Sequence, residues 1–551
     1  MVEKILGVTE PLDPRLNVDG TTGYDAMREL DGVFIDRSAE DQLGMLALQQ
    51  SGSTWDEDAI TAAEHQLKGK VARDELDAEV RRLVRAIRRD NFSTAGQDVS
   101  EADLTETVIE LIAAIPVYRA DYRSLSRITS SVIAEMSRRF PERSDALDLI
   151  SAAMLAEGEA KTRFAQVCGA VMAKGVEDTL FYRASRLVSL QEVGGAPGRF
   201  GVGVAEFHLL QQERAQLWPH AMTSLTTHDT KRTEDTRARM GEITELPGEF
   251  AELTRQVVAM VPPPDTATAH FLFQNLLGVW PADGVITDAL QERLHAYALK
   301  AVREAGVNST WFDQEPAYEQ AICDWIDALL YGPVAPTITD FAAKLHRGGV
   351  QVSLGRKVLQ LAGAGVPDTY QGQEFIDFSL VDPDNRRFID YTARAQTLQQ
   401  YLEAREDEAF DLSAYLTDTD DGTISADRAK QLIIREGLHL RREFADVFLS
   451  GEHQAVFAVG EAHDHLVGIA RGDASVSGTG GLSIIALATR LPLALESRGG
   501  WGETTVQLPE GEWTDRFSGR TFSGVVPVAE VFSTLPTALL VANRLTEAGR
   551  L

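Results

Sequence analysis

Between about residues 160 and 400, short β-rich runs alternate with long helical stretches, a pattern that confines the chain to an α/β architecture built on a parallel sheet. Three runs read as strands: Val171 to Val176, Ala221 to Thr227 and Val366 to Tyr370. Each is followed at once by polar and charged residues: Glu177-Asp178-Thr179, His228-Asp229-Thr230-Lys231-Arg232 and Gln371-Gly372-Gln373-Glu374. Polar groups gathered at the C-terminal ends of successive strands are how a (β/α)8 barrel assembles its active site.

The flanks have a different texture. Leu76, Val80, Leu83, Val84 and Ile87 recur at helix spacing, with Arg81, Arg82, Arg85, Arg88 and Arg89 between them, so the arginines read as a solvated face rather than a binding patch. A second helix is expected after Ser100, an N-cap with Asp103 three residues on, running through Leu104, Val108, Leu111, Ile112 and Ile115 until Pro116. Residues 240 to 335 read as a further helical insertion. After about residue 430, Ala455 to Val459, Leu466 to Ala470, Leu482 to Leu487, Thr504 to Leu508 and Ala538 to Val541 are separated by Gly, Asp and Ser turns, which predicts a small antiparallel domain. Trp501 and Trp513 within it are aromatics that stack on sugars if exposed, or fill a core if not.

At 551 residues the chain exceeds what one compact core organises. The balance of 53 basic against 83 acidic residues, a net charge of −30, repels phosphate backbones and anionic lipid, so neither nucleic acid nor a membrane is an expected partner. No apolar run approaches the length of a membrane span, and Met1-Val2-Glu3-Lys4 does not open like a signal peptide, so a cytoplasmic location is expected. Cys168 and Cys323 are the only cysteines, which excludes a disulfide framework. Two metal readings fail: His463-Asp464-His465 has no third ligand nearby, and Asp418-Thr419-Asp420-Asp421-Gly422 is followed by Thr423 and Ala429 where a calcium loop needs Gly and Glu. No cofactor is expected.

Several stretches together resemble one family. They are Val2-Glu3-Lys4-Ile5-Leu6, Gly20-Thr21-Thr22-Gly23-Tyr24-Asp25, Val171 to Thr179 with Phe181-Tyr182-Arg183, Thr227 to Arg232, and Asp382-Pro383-Asp384-Asn385-Arg386-Arg387. In this order and over nearly the whole chain they resemble the maltooligosyltrehalose synthases, (1->4)-alpha-D-glucan 1-alpha-D-glucosylmutases of the alpha-amylase superfamily. The His228-Asp229 pair and Gly365 to Glu374 belong to that wider superfamily, at barrel strands seven and eight.

The resemblance implies an α/β fold: a partial (β/α)8 TIM barrel (strands five to eight) with large helical insertions and a C-terminal antiparallel β domain. It divides the chain into barrel segments at 1–40, 156–240 and 336–425, helical insertions at 41–155 and 241–335, and the β domain at 426–551. The implied activity is intramolecular transglycosylation, turning the reducing-end α-1,4 bond of a maltooligosaccharide into an α,α-1,1 bond, in trehalose biosynthesis. By resemblance Glu3 is the acid/base, Asp229 a third carboxylate that supports the oxocarbenium-like transition state, and His228 a partner of the same sugar ring. Lys174, Glu177, Asp178, Tyr182, Lys231, Arg232, Tyr370, Asn385 and Arg386 are the candidate substrate-binding residues.

The residues alone admit plainer roles. Without the motif Glu3 reads as a surface residue, His228-Asp229 as a capped turn, Lys174 with Glu177 as a surface ion pair, and Asp384 with Arg386 as a loop brace. The family's nucleophile, an aspartate in an Arg-x-Asp-His motif, has no counterpart here, since Ile35-Asp36-Arg37 reverses the order. Only Met1 and Val2 precede Glu3, so the expectation is a chain without the first half of the barrel, inactive alone, with a separately encoded N-terminal half as a candidate partner. The rival readings are an amylase-type hydrolase or other transglycosidase, and a non-catalytic glucan-binding or scaffold fragment.

Overall fold

The structure is a computed structural model and describes residues 1, 7, 10, 12–91, 98–118, 126–156, 158–406, 410–417, 424–472 and 481–543. Glu3 and the Asp418 to Thr423 run lie outside the described residues.

Helical periodicity is expressed where the sequence shows it. In the helix Asp77–Asp90, Val80, Leu83, Val84 and Ile87 are buried, while Arg81 pairs with Asp77 at 2.9 Å and Arg89 with Glu159 at 2.6 Å on the outer face. Leu76 stands at that helix's N-cap. The Ser100 hydroxyl accepts from Asp103 N at 3.0 Å and caps Glu101–Ala114, which stops two residues before Pro116. These two helices share a core with Ser144–Leu155 and Glu159–Met172.

The expected strand Val171 to Val176 is instead helical. Glu159–Met172 runs on into a π-turn, Ala173–Glu177. Phe164, Val167, Cys168 and Val171 follow a 3–4 spacing that buries one stripe, and this stripe outweighs the β-branched residues at its end. Met222–Thr223 (β1) and Val366–Pro367 (β2) do pair in parallel, Met222 opposite Val366. Val366 N donates to Ala221 O at 2.7 Å and Asp368 N to Thr223 O at 2.9 Å, so both bonds that reach β1 are made and Pro367, between them, is not called on for one. Among the described residues this is the one parallel pairing.

A 28-residue helix, Ala335–Ala362, spans the molecule. Its first half packs Ile338, Phe341 and Leu345 against the helices Thr266–Val279 and Pro316–Tyr331. Its second half packs Val352, Val358 and Leu361 onto the C-terminal sheet.

That sheet has six antiparallel strands. They are β3 (Glu452–Val456), β5 (Leu466–Gly472), β6 (Leu482–Thr489), β11 (Thr537–Ala542), β8 (Trp513–Asp515) and β9 (Thr521–Phe522), in that spatial order. β4 (Ala458–Val459), β7 (Thr505–Gln507) and β10 (Val525–Pro527) form a second antiparallel sheet. β5 and β6 are buried on both faces, Ile484 and Ala486 towards the long helix and Ile485 and Leu487 towards Val506 and Leu508, which explains their continuous apolar runs. Trp513 belongs to that second core and its indole N–H donates to Pro509 O at 3.0 Å, so of the two roles open to it, it takes the core one. Trp501 is half-buried. No described helix is long and apolar enough to cross a membrane.

Candidate active site

The turn that follows β1 is braced from three directions. Gly23, with φ 94°, starts the helix Tyr24–Gly32 and lies so close to β1 that a Cβ there would sit 2.7 Å from Met222 O. Tyr24 Oη then reaches Thr227 Oγ1 at 3.2 Å, and the same Thr227 oxygen accepts from Asp229 N at 3.1 Å. Asn385 donates to Thr227 O and His228 O, both at 3.3 Å. Behind the turn, the buried Glu192 carboxylate accepts from Val193 N at 2.8 Å, Lys231 N at 2.7 Å and Arg232 N at 3.1 Å. His228 and Asp229 are left exposed on the crown of a fixed turn.

The π-turn brings a second set of groups to this place. Lys231 Nζ lies 3.4 Å from Asp178 Oδ1 and 5.9 Å from the Tyr182 ring centroid, and Lys174 Nζ lies 3.1 Å from Asp178 Oδ2. Lys174 therefore pairs with Asp178, not with Glu177. The Glu177 carboxyl is buried among the Tyr118 hydroxyl, the Lys231 ammonium and the carboxylates of Asp229 and Asp178. Burial pushes it up to about 7, against the pull of Tyr118 and Lys231 and with a further push from Asp229 and Asp178. A carboxyl held near neutrality can donate or accept a proton. Glu177 and Tyr118 line a cavity of about 490 Å³, with Glu10, Glu57 and Glu64 also on its wall.

The remaining sequence candidates occupy other positions. Arg232 is enclosed, its guanidinium donating to Asn275 Oδ1 and Gln191 O, both at 2.7 Å, so it anchors the turn and does not face open space. Tyr182 packs against Phe271 at 6.0 Å beneath Lys231, and so does not offer the open ring face expected of it. Asn385 is a brace of the turn. Arg386 pairs with Asp382 at 2.8 Å, and Asp384 takes a bidentate bond from Arg293 at 2.6 and 2.9 Å, holding the loop. Tyr370 is half-buried, with Arg386, Asp382 and Tyr391 as its charged and titratable neighbours. Glu192 and Tyr118 escaped the sequence reading because neither stands in a polar cluster; the isolated acid in Ser189-Leu190-Gln191-Glu192-Val193 was the only trace. Among the described residues no group of three His, Cys, Asp or Glu side chains has a metal-binding arrangement.

No family model matches the chain. A curated protein of Mycobacterium tuberculosis, named as a candidate maltooligosyl trehalose synthase, is 41% identical over 543 residues, 98% of this chain and 65% of that protein. The structure of maltooligosyltrehalose synthase from Arthrobacter ramosus superimposes with a TM-score of 0.84 at 36% identity, covering 98% of this chain and 66% of that one. A further maltooligosyl trehalose synthase crystal structure matches with a TM-score of 0.74 at 25% identity. The chain thus spans about two thirds of the length of these relatives.

Proposed function

We propose, since this chain belongs to the maltooligosyltrehalose synthase family along 98% of its length, that it carries the acid/base side and the sugar-retaining side of an intramolecular transglycosylase site. The reaction converts the reducing-end α-1,4 bond of a maltooligosaccharide into an α,α-1,1 bond. Glu3 protonates the bridging oxygen while an aspartate nucleophile takes the anomeric carbon of the penultimate glucose. The released glucose turns within its subsite, gives the proton of its anomeric hydroxyl back to Glu3, and that oxygen displaces the aspartate. Asp229 and His228 hold the sugar at the reacting carbon, and Lys174, Asp178 and Lys231 hold the glucose that turns. Retention matters because a glucose held in place outcompetes water by its effective concentration.

The observation that carries this reading is the meeting of Lys231, Asp178 and the half-neutral Glu177 beside the exposed Asp229, on turns whose sequences resemble the family's. The parallel pair β1–β2, with polar groups after each strand, supports a barrel segment at strands seven and eight. The nucleophile is assigned to protein outside these 551 residues, fused or separately encoded.

Maltopentaose supplies the test. With the missing half added, reducing power should disappear while chain length is kept, and Glu3→Gln or Asp229→Asn should each abolish this by orders of magnitude. A rise in reducing sugar with shorter chains would instead identify a hydrolase, and turnover by the 551 residues alone would overturn the assignment of the nucleophile.

A further inference from the structure

A second cavity, of about 490 Å³, lies between the long helix Ala335–Ala362 and the C-terminal β domain, away from the turn that carries Asp229. The helix supplies His346, Arg347 and Gln351 together with the apolar Val350 and Leu354; the facing wall includes Trp501, Phe532 and Thr534. Its size falls in the range of small-molecule sites, roughly 300–1,000 Å³. Trp501 and Phe532 lie 5.5 Å apart at 58°, so together they form a bent aromatic wall. Gly499, Gly500 and Gly502 flank Trp501 with φ of 93°, 88° and 51°, which sets the indole on a tight loop tied down by Gly500 N to Leu495 O at 2.9 Å.

The polar groups on these walls are available to a ligand. Arg239 Nη2 donates to His346 Nδ1 at 2.7 Å, and a guanidinium can only donate, so the His346 proton sits on Nε2. The His346 Nε2, the Trp501 indole N–H and the Gln351 amide have no hydrogen-bond partner among the described residues. Arg347, the charged member, is neutralised by Glu496 at 3.1 Å. An apolar ligand would leave three polar groups unpaired, and an ion would find no opposite charge. A neutral polyhydroxylated ring satisfies both, its CH face on the aromatic wall and its hydroxyls on the helix.

We propose that this cavity is a second binding site for a neutral α-glucan, distinct from the candidate active site and serving to tether long chains. That the sugar is an α-glucan rests on the proposed function; that it is a neutral pyranose rests on the cavity.

The test is retardation of the chain in native gels containing soluble glycogen, with maltotriose as competitor. Trp501→Ala should weaken retardation about tenfold and Gln351→Ala, at a half-exposed helix position, by a few fold, with Trp501→Phe recovering part of the loss. Lys231→Ala should leave most of the retardation in place. Unretarded wild-type protein, wild-type retardation in both Trp501→Ala and Gln351→Ala, or loss confined to Lys231→Ala would overturn the proposal. The product assay does not enter this measurement, so a failure to form trehalose units counts against the proposed function and leaves the tether untouched.

Discussion

Lys231 Nζ stands 3.4 Å from Asp178 Oδ1, a contact that joins two turns 53 residues apart, and the Lys231 side chain is only 6% exposed. Lys174 reaches the same carboxylate at 3.1 Å, but its side chain is 54% exposed. The shorter contact is the weaker one, because an exposed pair in water contributes at most about 1 kcal/mol while loss of a buried partner leaves an uncompensated charge.

Lys231→Met is accordingly expected to lower stability by about 2 kcal/mol, and Lys174→Ala by about 0.5 kcal/mol or less. Urea denaturation of both variants measures the difference. The proposed function places Lys231 on the retained glucose, so on that proposal, with the N-terminal half supplied, Lys231→Met should also raise hydrolysis relative to trehalose formation. Equal midpoints and unchanged product ratios would show that neither lysine holds sugar or fold.

Glu192→Ala removes the acceptor of three backbone N–H groups and the 3.6 Å partner of Arg237. The expected loss is about 3 kcal/mol or more, with Glu192→Gln intermediate because its amide oxygen still accepts. Thermal unfolding reads this directly. A fall below about 1 kcal/mol would mean that water takes over the carboxylate's bonds.

Glu177 is predicted to make the fold less stable as pH rises. Its ordinary value is 4.5 and the folded value is about 7, so between these the folded chain binds the extra proton and stability declines with increasing pH. Above pH 7 the penalty levels off at about 3 kcal/mol. Glu177→Gln should match the wild type at pH 4 and exceed its stability at pH 8. A wild-type pH slope retained in Glu177→Gln would place the titration elsewhere.

His208 on the helix Val204–Leu217 and His453 on β3 should have the opposite effect. Their ring nitrogens are 3.3 Å apart in a buried contact between that helix and the C-terminal sheet. Burial lowers His208 to about 4 and His453 to about 3, with His208 and Arg471 adding to the latter. The unfolded chain takes these protons near pH 6.5, so stability is full above that value and falls as pH drops towards 3. His208→Gln should shrink the loss between pH 7 and pH 4.5 by about 2 kcal/mol. An unchanged acid limb would show that the two rings separate before they titrate.

The sequence by itself determined what local spacing encodes: the stripes of Asp77–Asp90, the Ser100 cap, the runs of β5, β6 and β11, and the motifs that carry the family resemblance. Caps and periodicities are satisfied by residues a few positions apart, so they can be read without knowing what lies opposite. Tertiary structure decided the rest. It made Val171 to Val176 a helix end because Phe164, Val167 and Cys168 had a core to face, and it limited β1 and β2 to two residues each. It also brought Lys231 and Lys174 to one carboxylate while burying only Lys231, turned Arg232 and Asn385 into anchors, and brought Glu192 and Tyr118 to a site they do not adjoin in the chain. Burial and charge pairing depend on partners tens to hundreds of residues away, and those partners exist only once the chain has folded.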